Sequence, residues 1–191
     1  MNIRSFIALP IPKETANEIG DIAAKMSYQD KSNAVRWVDQ QNYHVTLAFL
    51  GEQEESDLEH LVESLDHQLT QSEFLAKLSH LSPFPESKPK RIAAMVDKTD
   101  TWDYLNQEVL SAVRSVGLIA DKRRFIPHVT LGRFRHSKNL FAGAIPPLAS
   151  IEFLADELVL YESILGSSGA HYEALVRFPL EQYVYDDVAA E

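Results

Sequence analysis

The tetrapeptide His-Val-Thr-Leu occurs twice in this chain, at residues 44–47 and again at 128–131, 84 positions later. The first copy lies in Asn42-Tyr43-His44-Val45-Thr46-Leu47-Ala48-Phe49-Leu50-Gly51. The second lies in Phe125-Ile126-Pro127-His128-Val129-Thr130-Leu131-Gly132-Arg133-Phe134. Both are rich in β-branched and aromatic residues, and in both a small residue follows the leucine, so each reads as a strand. In extended backbone, alternate side chains share a face. His44 and Thr46 therefore point together, as do His128 and Thr130, while Val45, Leu47, Val129 and Leu131 supply apolar backs. Two such strands facing each other would make a site with two histidines and two threonines.

The remaining chain supplies helices and further strands around these two. Residues 3–9 form a short apolar strand closed by Pro10 and Pro12. From Pro12 to about Met26 the spacing of Ile19, Ile22, Ala23 and Met26 predicts an amphipathic helix with Pro12 at its first turn. Residues 34–38 and 43–50 read as strands, the second ended by Gly51. A helix from Ser56 to Leu69 is expected, with Ser56 and Glu59 as a capping box. Strands are expected at 74–81 and 91–96, separated by a loop over 82–90. A third helix runs from a cap at Thr99 or Thr101 to about Val116 and stops at Gly117. The second repeat occupies 124–134, Gly143 to Pro147 is a loop, and 150–162 and 171–180 are two strands joined by a Gly-Ser turn at 166–169. Asp186 to Glu191 are expected to fray. Helices do not alternate with single strands, so a doubly wound parallel sheet is not expected. The order predicts an α+β protein of mainly antiparallel sheet with helices on the outside. The two repeats suggest a bilobal arrangement, with pseudo-symmetric halves about a central cleft inside one domain spanning 1–191.

Composition narrows the chemistry. The absence of cysteine removes disulfides, thiolate nucleophiles and cysteine-based zinc sites. A net charge of −10 argues against coating nucleic acid through a broad basic surface. Residues 121–138 nevertheless hold six Lys or Arg against one Asp, so positive charge gathers around the second repeat. The opening residues do not resemble a signal peptide, and no apolar run reaches the roughly 18 residues of a membrane span. A cytoplasmic monomer without membrane association is the expectation.

Two histidines can serve as general base and general acid near neutral pH. Two threonine hydroxyls beside them can donate to an oxyanion. A phosphodiester suits this set, because it needs a base, an acid opposite in line, and donors for its equatorial oxygens. No cofactor or metal is called for, and His-x-Thr lacks the spacing of metal-binding motifs. No Gly-x-Ser-x-Gly elbow is present. His60 and His67 are expected on the exposed face of a helix.

Two His-x-Thr-hydrophobic motifs about 80 residues apart in a chain of this length resemble the 2H phosphoesterase superfamily. The flanking residues are similar to its RNA 2′,3′-cyclic phosphodiesterase branch, also called 2′-5′ RNA ligases. These are Arg4-Ser5-Phe6-Ile7-Ala8-Leu9-Pro10, Arg36-Trp37-Val38, Phe49-Leu50-Gly51-Glu52, Phe125-x-Pro127-His128, and Ser163-x-Leu165 with Gly169 and Tyr172. The resemblance implies hydrolysis of a 2′,3′-cyclic phosphate at an RNA end to a 2′-phosphate, possible weak reverse ligation, and RNA with that terminus as the partner. It implies that His44 protonates O3′, that His128 activates water, and that Thr46 and Thr130 hold the nonbridging oxygens. It also makes Arg133 a phosphate contact and Phe49 a base-stacking residue. Both of these stand at odd spacing from their histidine, so strict alternation puts them on the opposite face. A bulge at Gly132 would bring Arg133 back, and the strand end near Gly51 would do so for Phe49. The alternatives are a non-catalytic binder of phosphate-terminated RNA and a phosphodiesterase for small cyclic nucleotides.

Overall fold

The two repeated strands pair with each other, and the rest of the sheet is laid out from that pair. In a computed structural model that describes residues 2–136, 141–166 and 169–182, the strands are β1 (Asn2–Pro10), β2 (Val35–Trp37), β3 (His44–Glu54), β4 (Phe74–Phe84), β5 (Arg91–Val96), β6 (His128–Phe134), β7 (Ile151–Ala155), β8 (Glu157–Gly166) and β9 (Gly169–Pro179). The helices are α1 (Lys13–Gln29), α2 (Glu55–Gln68) and α3 (Asp100–Ser115). The sheet runs β7-β4-β5-β6-β3-β1-β8-β9, with β2 beside β6. Its centre is the antiparallel pair Val45–Val129, the middle of one His-Val-Thr opposite the middle of the other. On each side of that seam lie four strands in matching order, so β6 corresponds to β3, β5 to β1, β4 to β8 and β7 to β9. This is the expected α+β, two-halved antiparallel architecture.

The helices cover the apolar side. α2 packs on α3 and both pack on β3, whereas α1 packs on β2, β6 and β7. Val45, Leu47, Val129 and Leu131 are buried beneath them in one core with Leu105 and Val109 of α3. Among the described residues, no helix is long and apolar enough to cross a membrane.

The sheet also curls. Its outer strands approach each other where Ser72, leading into β4, makes a parallel bridge with Glu181 just beyond β9, and Glu73 N–H donates to the Glu181 carbonyl at 2.9 Å. That curl explains one departure from the sequence reading. The expected strand 150–162 is two strands: β7 pairs with β4 in one half, and β8 pairs with β1 in the other. The chain changes halves at Asp156 alone, whose carbonyl accepts from Leu180 N–H at 2.7 Å.

Other boundaries differ for local reasons. β3 continues past Gly51 to Glu54, because only Leu50 is skipped in the pairing with β1, which resumes at Gly51 opposite Ser5, where the glycine takes a positive φ of 76°. α2 then starts directly at Glu55 with Glu54 as its N-cap and no side-chain cap. Ser56 is already in the first turn, so the capping box does not form. Glu55 and Asp57 in that turn complement the helix dipole instead. β4 extends to Phe84, shortening the expected loop, and β6 begins only at His128. The centre of the expected 166–169 turn and residues 186–191 lie outside the described residues.

Two bulges decide which side chains share the site face. Thr46 pairs with Ala8 and Ala48 with Ile7, which leaves Leu47 as an extra residue in β3. Thr130 pairs with Ala93 and Gly132 with Ile92, which leaves Leu131 as an extra residue in β6. An unpaired extra residue shifts the alternation by one. Its carbonyl must then find another donor. The Leu47 carbonyl accepts from the buried Asn106 side chain at 2.8 Å, and the Leu131 carbonyl accepts from Val38 N–H at 2.9 Å. Gly132 lets β2 approach this bulge, since a Cβ there would lie 2.4 Å from Val35 Cγ1.

Replacing Asn106 by Leu strands the Leu47 carbonyl in the core, and leaving a buried acceptor unsatisfied costs about 1–3 kcal/mol. Urea unfolding of Asn106→Leu is therefore expected to show a loss in that range. A loss below about 0.5 kcal/mol, the ordinary scale of surface substitutions, would show that the bulge does not depend on this side chain.

Candidate active site

The sheet face opposite the helices gathers the predicted residues. Antiparallel register about Val45–Val129 sets His44 across from Thr130, and Thr46 across from His128. The bulge at Leu47 puts Phe49, paired with Phe6, on the same face as Thr46. The bulge at Leu131 does the same for Arg133, which pairs with Arg91. Strict alternation is thus overturned for both, near Gly132 as expected for Arg133. For Phe49 the cause is the Leu47 bulge inside the strand and not the strand end near Gly51.

The histidines share a tautomer and differ in surroundings. His44 Nδ1 is 2.7 Å from the Asn42 carbonyl, and His128 Nδ1 is 2.7 Å from the Ile126 carbonyl. A carbonyl only accepts, so each Nδ1 carries hydrogen and each Nε2 is the atom free to exchange a proton. His44 Nε2 lies 3.1 Å from Thr46 Oγ1. A hydroxyl can donate or accept, so this contact suits neutral and protonated imidazole alike. His128 Nε2 lies 3.3 Å from Arg91 Nη1. A guanidinium only donates, so this contact suits the neutral ring alone.

Burial pushes the His44 pKa down to about 4, reinforced by the positive charges of Arg133 and His128. Burial likewise pushes His128 down to about 4, reinforced by Arg91, Arg133 and Arg123. In each case the backbone carbonyl on Nδ1 opposes the shift.

Around His44 the walls are aromatic. The rings of Phe6 and Tyr172 lie 5.0 and 5.3 Å from the imidazole, centroid to centroid, and Tyr161 stacks on Phe6 at 5.2 Å. The Arg4 guanidinium lies 5.0 Å over the Phe49 ring. Around His128 the wall is cationic apart from Phe84, whose ring is 4.3 Å from the imidazole. Among the described residues no group of three or more His, Asp or Glu is placed to hold a metal ion. His60 and His67 are exposed on α2, as expected.

This face can be set beside proteins already characterised. Residues 9–94 match the model of the LigT like Phosphoesterase family. An RNA 2′,3′-cyclic phosphodiesterase of Methanocaldococcus jannaschii is 29% identical over 178 residues, covering 91% of this chain and 98% of that protein. One of Bacillus subtilis is 28% identical over 181 residues, covering 92% and 95%. The crystal structure of E. coli LigT complexed with 3′-AMP superposes with a TM-score of 0.79 at 26% identity, over 95% of this chain and all of that one. The chain is similar to the LigT-like phosphoesterases in sequence over residues 9–94 and in fold over almost its whole length.

At this site, sequence reasoning missed Arg91, Phe84 and Tyr161. Arg91 precedes His128 by 37 residues and follows a loop, so no spacing rule connects them. The available signal was indirect: a lone arginine opening the apolar run Ile92-Ala93-Ala94-Met95-Val96.

The histidine shifts have a sign that stability measurements can read. The unfolded chain binds protons near the ordinary imidazole value of 6.5, whereas the folded rings resist until about 4. The unfolded state therefore binds more protons in this window, and folding stability falls as pH drops from about 6.5 to about 4. Between pH 7.5 and 4.5 the melting temperature of the protein is expected to fall further than that of its H44Q/H128Q variant. Parallel falls would mean that the rings are not held neutral by the fold.

Proposed function

We propose that this chain hydrolyses the 2′,3′-cyclic phosphate at an RNA end to a 2′-phosphate, by acid and base catalysis from the two histidines. The observation that carries this reading is the unequal pair of Nε2 contacts on facing His-Val-Thr strands, a hydroxyl at His44 and a guanidinium at His128. The names of the relatives support the substrate.

His128, kept neutral by burial and by Arg91, takes a proton from water through Nε2 as the water oxygen attacks phosphorus. The P–O3′ bond breaks, and His44 delivers its Nε2 proton to O3′. The Thr46 and Thr130 hydroxyls donate to the nonbridging oxygens, where charge accumulates. Arg133 neutralises the phosphate, and Phe49 stacks on a base. The sequence of steps uses no metal ion. A 5′-hydroxyl in place of water would give a 2′-5′ linkage by the same proton transfers, which is the weak ligation of this reading.

An oligoribonucleotide ending in a 2′,3′-cyclic phosphate should yield the 2′-phosphate at an undiminished rate in EDTA. His44→Ala and His128→Ala are each expected to lower kcat by about 10²–10⁴, the range for loss of a general acid or base, with RNA binding retained. A 3′-phosphate product would refute the assignment of O3′ as leaving group, and unchanged turnover in either variant would refute the catalytic pair.

The free-enzyme pKa values near 4 set the pH dependence. The optimum of kcat/KM should lie on the acid side of 6.5. The optimum of kcat should lie higher, because a bound phosphate anion favours protonated His44. Steady-state profiles over pH 4–8 test this, and coincident optima at neutral pH would contradict it.

A further inference from the structure

Three arginines stand in a row across adjacent strands on the site face. Arg36 of β2 pairs with Arg133 of β6, and Arg133 pairs with Arg91 of β5. Like charges directly opposite each other in a sheet are destabilising. No described carboxylate relieves them, since the ion pairs among described residues involve other side chains. Arg91 Nε is moreover buried with no hydrogen-bond partner. The chain as a whole carries a net charge of −10, so an unrelieved cationic row is not a general property of its surface. Such a row suits an anionic ligand.

The row is also longer than one phosphate. Strands lie about 4.8 Å apart, so Arg91 and Arg36 are separated by two steps, roughly 10 Å at the backbone. Arg91, at His128, and Arg133 are accounted for by the reacting phosphate. Arg36 is not.

The element that carries Arg36 is built as a fixed mount. β2 has three residues, and two of them face inward: Val35 is buried, and Trp37 packs on the core. Both close over Gly132. The strand is pinned by the Asp30 carboxylate, which accepts from Ala34 N–H and Val35 N–H at 2.9 Å each. Val38 N–H donates to the Leu131 carbonyl and Arg135 N–H to the Ala34 carbonyl. What this short strand presents on the site face is Arg36.

We infer that Arg36, at the outer end of the row with Arg133 beside it, forms a second phosphate subsite that takes the phosphate on the 5′ side of the terminal nucleotide. This rests on the proposed reaction and narrows its substrate to chains or nucleotides bearing a 5′-phosphate, against small cyclic nucleosides without one.

The test compares kcat/KM for three substrates: a nucleoside 2′,3′-cyclic phosphate, the same compound with a 5′-phosphate, and a dinucleotide ending in the cyclic phosphate. The wild type should prefer both 5′-phosphorylated substrates by about tenfold or more, the size of a charge-assisted contact. In Arg36→Gln that ratio should collapse toward one, while Arg36→Lys keeps most of it. The salt dependence of kcat/KM on the dinucleotide should lose roughly 0.7 from its log–log slope in Arg36→Gln, the value for one single-strand phosphate contact. A wild-type ratio near one, or an Arg36→Gln variant slower on all three substrates by the same factor, overturns the subsite. So does a preference confined to the dinucleotide, which would place recognition on the upstream nucleoside.

If no substrate turns over, the reaction reading has failed, and binding decides the subsite separately. Calorimetry then compares a nucleoside 2′,5′-bisphosphate with the 2′-monophosphate. Tighter binding of the bisphosphate, lost in Arg36→Gln, supports the subsite, and equal affinities overturn it.

Discussion

The antiparallel pairing of Val45 with Val129 is the contact on which the geometry of this protein rests. A strand that alternates polar and apolar residues has one face for the core and one for whatever lies outside it. Placing two copies about a local twofold axis puts both apolar faces on the same helical layer and both His-Thr faces on the same outer surface. A slip of one residue would turn one histidine into the core and expose a valine. The buried valines and leucines on the back therefore specify the register of the His-Thr face, although none of them touches it.

Symmetry built this way is then broken by side chains. Pairing makes Phe49 the counterpart of Arg133, Phe6 of Arg91, and Tyr161 of Phe84. One half presents Phe-Phe-Tyr where the other presents Arg-Arg-Phe. The backbone is shared down to the bulge after each threonine, so the two halves differ in chemistry and hardly in scaffold. The bulges matter because without them the fifth residue after each histidine would face the core. Their carbonyls are satisfied by unlike means, an asparagine side chain in one half and a backbone amide in the other.

Much of this was legible in the chain, for identifiable reasons. The helices announced themselves through apolar spacing and stop signals, and the repeated tetrapeptide carried the histidines and threonines. What periodicity could not carry was a change of phase. The extra residues in β3 and β6 are leucines, ordinary in composition, and only the pairing partner reveals them. The split of 151–166 was hidden similarly: Ala155-Asp156-Glu157 interrupts an otherwise β-favourable run without glycine or proline, and the sheet's curl alone lets so short a connection join its two ends. Arg91 was hidden by distance in sequence, and the α2 cap was misread because β3 runs straight into the helix.

The energetic need for the broken symmetry follows from the histidines themselves. With a ring at about 4, only about one molecule in a thousand holds it protonated at pH 7. In the proposed reaction one ring must be charged and the other neutral, so lowering both alike would leave the acid almost absent. A bound phosphate anion raises an imidazole pKa, and raising a ring from about 4 to about 7 takes about 4 kcal/mol of interaction. Acting on both rings equally, it would supply an acid and remove the base. The guanidinium beside His128 offsets the anion at that ring alone, whereas His44, with a hydroxyl at Nε2 and aromatic rings around it, has no such opponent in contact. Under that proposal the substrate's own charge sorts two nearly equivalent histidines into an acid and a base, and the position of one arginine decides which becomes which.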